Sequence, residues 1–209
     1  MLAKTHTAAG GTTIGFLSVP ETTAAAQQMF DEDIAELGYV MNAARLWAYQ
    51  PATWTGLFNL LRDATSAHSL SLRQRSTLVA ACASAFGDSY CSLVWANRLA
   101  AADDAQTAAA VVHGSDDGLN TGERVMACWA RKVARDPNAT TAADVPALGD
   151  AGLSDAQIFR ITVFVALRLV FSTVNDALGL PPHAALRSTT PHAILDAVTF
   201  GRPIEKQAR

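Results

Sequence analysis

The sequence predicts an all-α protein. Alanine, the strongest helix former, occupies 41 of the 209 positions, against 13 glycines and 8 prolines. Apolar residues recur at helical spacing, and Ser-x-x-Gln capping boxes open two apolar stretches, at Ser71 and Ser154. No long segment alternates with a period of two, so we assign no sheet. We expect about ten helices around a central layer that includes 71–86, 89–101 and 154–178.

The first helices follow a loose segment. Residues 1–20 are rich in Gly and Thr and are predicted to form an N-terminal arm. Helical spacing begins after Pro20, and Gly38 ends this first helix. Its expected buried face carries Phe30, Ile34 and Leu37. A short second helix covers 41–49, and a third begins at Pro51, a residue favoured at the first helical position.

Two further helices meet at a sharp corner. Ser71 and Gln74 form the capping box of a helix that runs to Phe86. Gly87 has the position of a left-handed C-terminal residue. Asp88 is expected to cap the next helix, at 89–101.

The second half repeats this pattern. Aspartates at 103–104 and the loop 113–118 bracket an Ala-rich helix, Asn120 caps the next one, and 136–138 is a turn. Ser154 opens the longest helix. Its apolar run, 158–174, contains two arginines and is shorter than the roughly 20 residues of a membrane span, so we interpret it as a core helix. The capped helices at 71 and 154 hint at two related helical units sharing one core, although chance similarity explains them equally well.

These elements suggest a helical domain over 21–182 and a C-terminal extension over 183–209, with His183 exposed.

The net charge of −3 and the absence of a basic stripe argue against nucleic-acid binding. The three cysteines, Cys82, Cys91 and Cys128, are too few for a disulfide framework, so we expect a cytoplasmic protein. Cys82 and Cys128 are interpreted as core residues. No metal-ligand spacing or nucleotide-binding glycine pattern is present, and we predict no cofactor.

The segment from Leu70 to Cys91 carries the most information. Its residues 70–76, 78–80 and 86–91 resemble the carboxymuconolactone decarboxylase and AhpD-like alkylhydroperoxidase family, in its long, peroxidase-related form. The resemblance extends to 36–42 and 175–179 and covers roughly residues 20 to 182. It implies an AhpD-like helical fold, a homo-oligomer (dimer or trimer), and a peroxidase- or decarboxylase-type oxidoreductase.

The active motif of that family is largely replaced in this chain. Active hydroperoxidases of the family have a Glu, a Cys-x-x-Cys pair, and a His four residues after the second Cys. These positions fall on Ser76, Asp88, Cys91 and Trp95, so only the second cysteine remains. A dithiol peroxidase needs an attacking thiolate, a resolving thiol and a proton relay. The resemblance therefore implies a degenerate active site.

Physical chemistry gives each replacement a consequence. The carboxylate of Asp88, three residues before Cys91, raises the pKa of a neighbouring thiol, although the helix N-terminus favours the thiolate. Trp95 cannot accept a proton from the thiol, and Ser76 cannot act as a carboxylate base. Three hypotheses remain open. Cys91 is a single redox thiol acting on a peroxide, or the chain is a module that binds a small apolar ligand or a protein, or Asp88 performs non-redox acid–base chemistry. A membrane partner is not expected.

Overall fold

The computed structural model describes residues 12–66 and 70–206, and these residues form a helical protein. Within them lie a two-stranded hairpin and eleven α-helices. The strands are β1 (Thr13–Ile14) and β2 (Leu17–Ser18). The helices are α1 (Ala24–Leu37), α2 (Asn42–Trp47), α3 (Pro51–Ser66), α4 (Leu72–Phe86), α5 (Ser89–Ala102), α6 (Ala105–His113), α7 (Thr121–Arg135), α8 (Val145–Asp150), α9 (Asp155–Ala177), α10 (Leu186–Thr189) and α11 (His192–Ala197). Single turns of 3-10 helix occupy Pro137–Ala139 and Ala142–Asp144.

The all-α prediction is confirmed, and the predicted caps explain why. Ser71, Asn120 and Ser154 each accept a hydrogen bond from the backbone N–H three residues later, and each capping box is complete. Gly87 ends α4 with a φ of 91°, a left-handed conformation that glycine adopts without strain. Whether the two halves are related units stays a prediction.

The prediction of no sheet is wrong, because the structure contains a small β-hairpin. Thr13 pairs with Ser18 and Ile14 with Leu17, around a turn at Gly15 and Phe16. Two-residue strands are too short to produce an alternating sequence pattern. Of the predicted arm, residues 1–11 lie outside the described residues.

This hairpin is docked on the end of α9. The backbone N–H of Phe16 donates to the Leu178 carbonyl at 2.8 Å. Its ring lies so close to Gly179 that a Cβ there would be 2.5 Å from the ring. The guanidinium of Arg202 lies 4.8 Å from the centre of the same ring. Residues from both ends of the described chain therefore meet at the C-terminal end of α9.

The buried face of α1 differs from the predicted one. Ala26, Met29 and Asp33 are buried, whereas Ile34 is 51% exposed. An Oδ atom of Asp33 accepts the Met41 N–H at 2.9 Å, which binds this face of α1 to the start of α2. A polar side chain with a specific backbone partner thus forms part of the buried face of this helix.

Helix α4 is the centre of the core, packed against α5, α6, α7 and α9. Its residues 76–83 are all buried, and several are alanines that let neighbouring helices approach closely. Arg73 ties the start of α4 to α7, because its Nε donates to Glu123 at 2.7 Å and its guanidinium also pairs with Asp103.

Helix α9 is long and apolar enough, by length and composition, to cross a membrane. In this fold it packs against α3, α4 and α7 and buries eight of its residues, among them Phe164 and Asn175. The amide oxygen of Asn175 accepts the indole N–H of Trp47 at 2.8 Å in the interior. These contacts make α9 a core helix, as the sequence predicts.

The C-terminal extension is integrated into the fold. Helix α11 packs against α5 and α6, and Ile194 is fully buried. The prediction of an exposed His183 is wrong, because this residue is only 5% exposed. Its ring lies 2.7 Å from the Tyr39 hydroxyl and 3.3 Å from the Tyr90 hydroxyl. The extension thus joins residues distant in sequence, which local patterns do not reveal.

Candidate functional site

The corner between α4 and α5 places Asp88 inside the protein. Asp88 is completely buried and caps α5, as predicted. Its Oδ1 accepts the Cys91 N–H at 3.0 Å, and its Oδ2 accepts the Ser172 hydroxyl from α9 at 2.6 Å. Both carboxylate oxygens are therefore engaged in structural hydrogen bonds.

Cys91 lies one turn into α5 and is 2% exposed. Burial raises the pKa of its thiol well above the usual value, and the negative charge of Asp88 raises it further. The thiol is therefore protonated at neutral pH. Cys82 on α4 is also buried, and burial raises its pKa to about 12. Neither sulfur has the exposure or the thiolate character of a reactive cysteine.

The third cysteine departs from the predicted core position. Cys128 is exposed on α7. The buried face of this helix carries Met126, Ala127 and Ala130, and Cys128 projects away from it. Cys128 is therefore remote from the chemistry that the motif suggests.

Ser76 and Trp95, the two remaining motif positions, have different surroundings. Ser76 is completely buried on α4, and its hydroxyl has no hydrogen-bond partner among the described residues. Trp95 is 6% exposed and forms part of a cavity wall. The structure thus joins Asp88 to Cys91 and Ser172, while Trp95, one helical turn after Cys91, faces an open space.

That space is a cavity of about 420 Å³ between α1, α3, α4, α5 and α9. Its apolar lining includes four aromatic rings, those of Trp54, Phe58, Trp95 and Phe164. Its charged lining consists of Glu32, Asp33, Glu36, Arg62, Arg75, Arg98 and Arg168. A volume of this size suits a small organic molecule.

Arg168 is the most unusual of these residues. It is 8% exposed, and its guanidinium lies 4.5 Å from the centre of the Trp95 ring. Burial lowers its pKa to about 10, so it remains charged at neutral pH. No residue of the described chain accepts a hydrogen bond from it or pairs with it, and its buried Nε is unsatisfied. A cation–π contact returns about 0.5–2 kcal/mol, less than the several kcal/mol that burying an ion costs.

Sequence reasoning from the motif assigned no role in the site to three residues of this region: Arg75, Arg168 and Ser172. Arg168 left a signal, because it interrupts an apolar run of a core helix. In the sequence alone, that charge served only to argue against a membrane span. Ser172 and Arg75 left no local signal, since their roles depend on contacts between helices.

Comparison with known proteins supports the fold. A scan against protein-family models gives no match, and no curated protein matches the sequence. Among solved structures, the chain is similar to an alkylhydroperoxidase AhpD core protein, described as uncharacterized and peroxidase-related, from Ralstonia eutropha JMP134. The TM-score is 0.75 at 20% identity, and the match covers 84% of this chain and 96% of that one.

Two further similarities agree with the first. An uncharacterized peroxidase-related protein from Silicibacter sp. TM1040 matches with a TM-score of 0.74 at 20% identity, over 85% of this chain and 96% of that chain. The debrominase Bmp8 matches with a TM-score of 0.68 at 17% identity, over 84% of this chain and 92% of that chain. The helices, their order and these similarities together establish that the chain has the AhpD-like helical fold.

Proposed function

We propose that this protein binds a compact, largely apolar molecule in the cavity beside Trp95 and does not turn over peroxides through a thiol pair. The observation that carries this proposal is the contrast in surroundings between Cys91 and Trp95. Cys91 is enclosed, whereas Trp95, one turn later on α5, faces a cavity of about 420 Å³ with three other aromatic rings. Four of the fifteen described lining residues are aromatic and seven are charged, so the cavity offers an apolar wall beside polar groups.

The redox alternative requires a thiolate that a peroxide can reach. Cys91 is 2% exposed and its pKa is raised by burial and by Asp88. The position of the first motif cysteine is occupied by Asp88, so a sulfenic acid at Cys91 would lack a resolving thiol at that position. Acid–base catalysis by Asp88 is disfavoured as well, because its two oxygens accept bonds from Cys91 and Ser172.

A solved relative gives independent support for a ring-shaped ligand. A cysteine-to-alanine variant of the debrominase Bmp8 was solved in complex with 2,3,4-tribromopyrrole, and that structure matches this chain with a TM-score of 0.69 at 18% identity, over 86% of this chain and 96% of that chain. A protein of this fold therefore holds a small aromatic ring.

Ligand binding is tested with 2-naphthamide, a neutral two-ring probe, by quenching of tryptophan fluorescence. We expect saturable quenching that is reduced in Trp95→Phe, because this ring lines the cavity. Trp129→Phe is the matched control, since Trp129 bonds Thr162 and does not line the cavity. Absence of saturable binding, or equal loss of quenching in both variants, contradicts the binding proposal.

Peroxide turnover is tested with a dithiol donor in the wild type and in Cys91→Ser. We expect equal and slow consumption of peroxide in both proteins. Rapid turnover that disappears in Cys91→Ser would establish the redox alternative.

A further inference from the structure

Among the described residues, the two buried arginines, Arg131 and Arg168, differ in whether the terminal nitrogens of the guanidinium have a hydrogen-bond partner. Arg131 is 6% exposed, and it donates to Asp116 at 2.7 Å and to the carbonyl oxygens of Val111 and Ser115. Arg73 is paired with both Glu123 and Asp103. A charged group removed from water is normally satisfied in this way. Arg168, buried to the same degree as Arg131, has no such partner in the described chain.

Arg75 resembles Arg168 in this respect. It also lines the cavity, its Nε is buried without an acceptor, and no ion pair or hydrogen bond joins it to a described residue. Burial is the largest influence on the pKa of Arg168; Arg98 and Arg75 lie near enough to lower that pKa further, while Cys91 and Cys82 act in the opposite direction. Two arginines of different helices, α4 and α9, therefore present unsatisfied donors to the same cavity, which is partly open to solvent.

The carboxylates of the cavity do not neutralise these two residues. Asp33 accepts the Met41 N–H, and burial raises its pKa, with Glu36 and Glu32 raising it further. Glu36 is the partner of Arg98 at 3.7 Å, and its side chain is 73% exposed. Glu32 is exposed. The acidic residues that line the cavity thus all belong to α1, on one side of it. The ion pair they form is with Arg98, not with Arg75 or Arg168.

We infer that the ligand of the proposed cavity is an organic anion, an aromatic or apolar body with a carboxylate that Arg168 and Arg75 bind. This inference rests on the proposed function and specifies the chemistry of its ligand. The aromatic rings receive the apolar body, and a planar guanidinium matches a carboxylate with two parallel hydrogen bonds. Arg168 is held over Trp95, so its donors have a fixed direction before the anion arrives.

The experiment compares 2-naphthoate with 2-naphthamide, which differ in charge but hardly in shape. Binding of both is measured by calorimetry at neutral pH. We expect the carboxylate to bind about tenfold to a hundredfold more tightly, the factor expected for hydrogen bonds to a charged group. In Arg168→Met this preference disappears, while the affinity for 2-naphthamide stays within about twofold. Arg45→Met, which removes an exposed charge outside the cavity, retains the preference.

Thermal unfolding separates a ligand-binding role of Arg168 from a structural one. Because the charge has no protein partner, we expect Arg168→Met to melt at the same temperature as the wild type or higher. If this variant fails to fold, the structural role is established for Arg168, and Arg75→Met then decides the anion preference alone. Equal binding of the two probes by the wild type overturns the anion inference and leaves the proposed function intact. Binding of neither probe overturns both.

Discussion

At the scale of single residues, Asp88 connects two helices of the core. In the family that the sequence resembles, this position carries a cysteine. Here a buried carboxylate caps α5 and bonds Ser172 of α9. The same residue therefore starts one helix and attaches it to another.

Asp88→Ala is predicted to lower the free energy of unfolding by about 2–4 kcal/mol. The variant loses a helix cap, worth about 1 kcal/mol, and leaves the Cys91 N–H and the Ser172 hydroxyl buried without acceptors, at about 1–3 kcal/mol. The measurement is denaturant unfolding. Asp104→Ala, which removes the exposed cap of α6, should cost only about 1 kcal/mol. If both variants lose the same stability, the buried contacts of Asp88 contribute nothing.

The three thiols are predicted to differ sharply in reactivity. Cys128 is exposed, whereas Cys82 and Cys91 are buried with raised pKa values. A disulfide reagent such as DTNB should label one thiol per native chain quickly and all three after unfolding. Native Cys128→Ser should not react on the same timescale. Rapid labelling of that variant would mean that one of the buried thiols is accessible.

The sequence predicted two of these residue roles for local physical reasons, a cap at Asp88 and a buried Cys82. It left the role of Cys91 open, and it wrongly placed Cys128 in the core. It did not predict the roles of Arg168 and Ser172. Among the described residues, Ser172 has a partner and Arg168 lacks one because of how α5 and α9 pack together. Helical spacing indicates that a residue is buried but does not identify what it meets there.

At the scale of helices, the sequence predicted the helix boundaries well and the buried faces of the helices less well. The capping boxes at 71, 120 and 154 mark where helices begin. Each box spans only four consecutive residues, so it can be recognised from the sequence. The orientation of α1 depends instead on Asp33 and the Met41 N–H, eight residues apart. The placement of the segment after α9 depends on contacts over more than 90 residues, such as the one between Tyr90 and His183.

The contact between His183, Tyr39 and Tyr90 predicts a pH-dependent stability. Burial lowers the pKa of His183 to about 4, below the ordinary value of 6.5. The unfolded chain therefore binds a proton that the folded chain excludes. The stability contributed by neutral His183 is complete above pH 6.5 and is lost as the pH falls toward 4.

The measurement is the free energy of unfolding of the wild type and of His183→Gln between pH 7.5 and pH 4.5. The advantage of the wild type should shrink as the pH falls. Asp176, whose pKa is raised to about 7 by burial and by Asp88, gives the opposite dependence in the same range. Because Asp176 is present in both proteins, its effect cancels in the difference. A constant difference across the range would contradict the buried, neutral state of His183.

At the scale of the whole molecule, one face of α9 is apolar and open to solvent. Phe159 is 70% exposed and Val170 is 49% exposed, with Ala166 exposed between them. Their spacing of seven and four residues places all three on one stripe of the helix. Large exposed apolar patches are typical of surfaces that contact another protein.

We propose that this stripe joins copies of the chain in a homo-oligomer, a dimer or a trimer. Light scattering at micromolar concentration should give a mass above the 22.0 kDa of one chain. Phe159→Glu should shift the mass toward the monomer, whereas Ile34→Glu, on the exposed side of α1, should not. A monomeric wild type would contradict the proposal.

The docking of the β1–β2 hairpin has a consequence for the order in which the chain folds as it is synthesised. Residues 13–18 are synthesised well before the residues that form their binding surface, Leu178, Gly179 and Arg202. Domains fold during synthesis as their parts become available. The hairpin therefore stays undocked until Leu178 and Gly179 have been synthesised. A nascent chain arrested before residue 178 should carry an unprotected N-terminal segment, and limited proteolysis of such chains would cut there first.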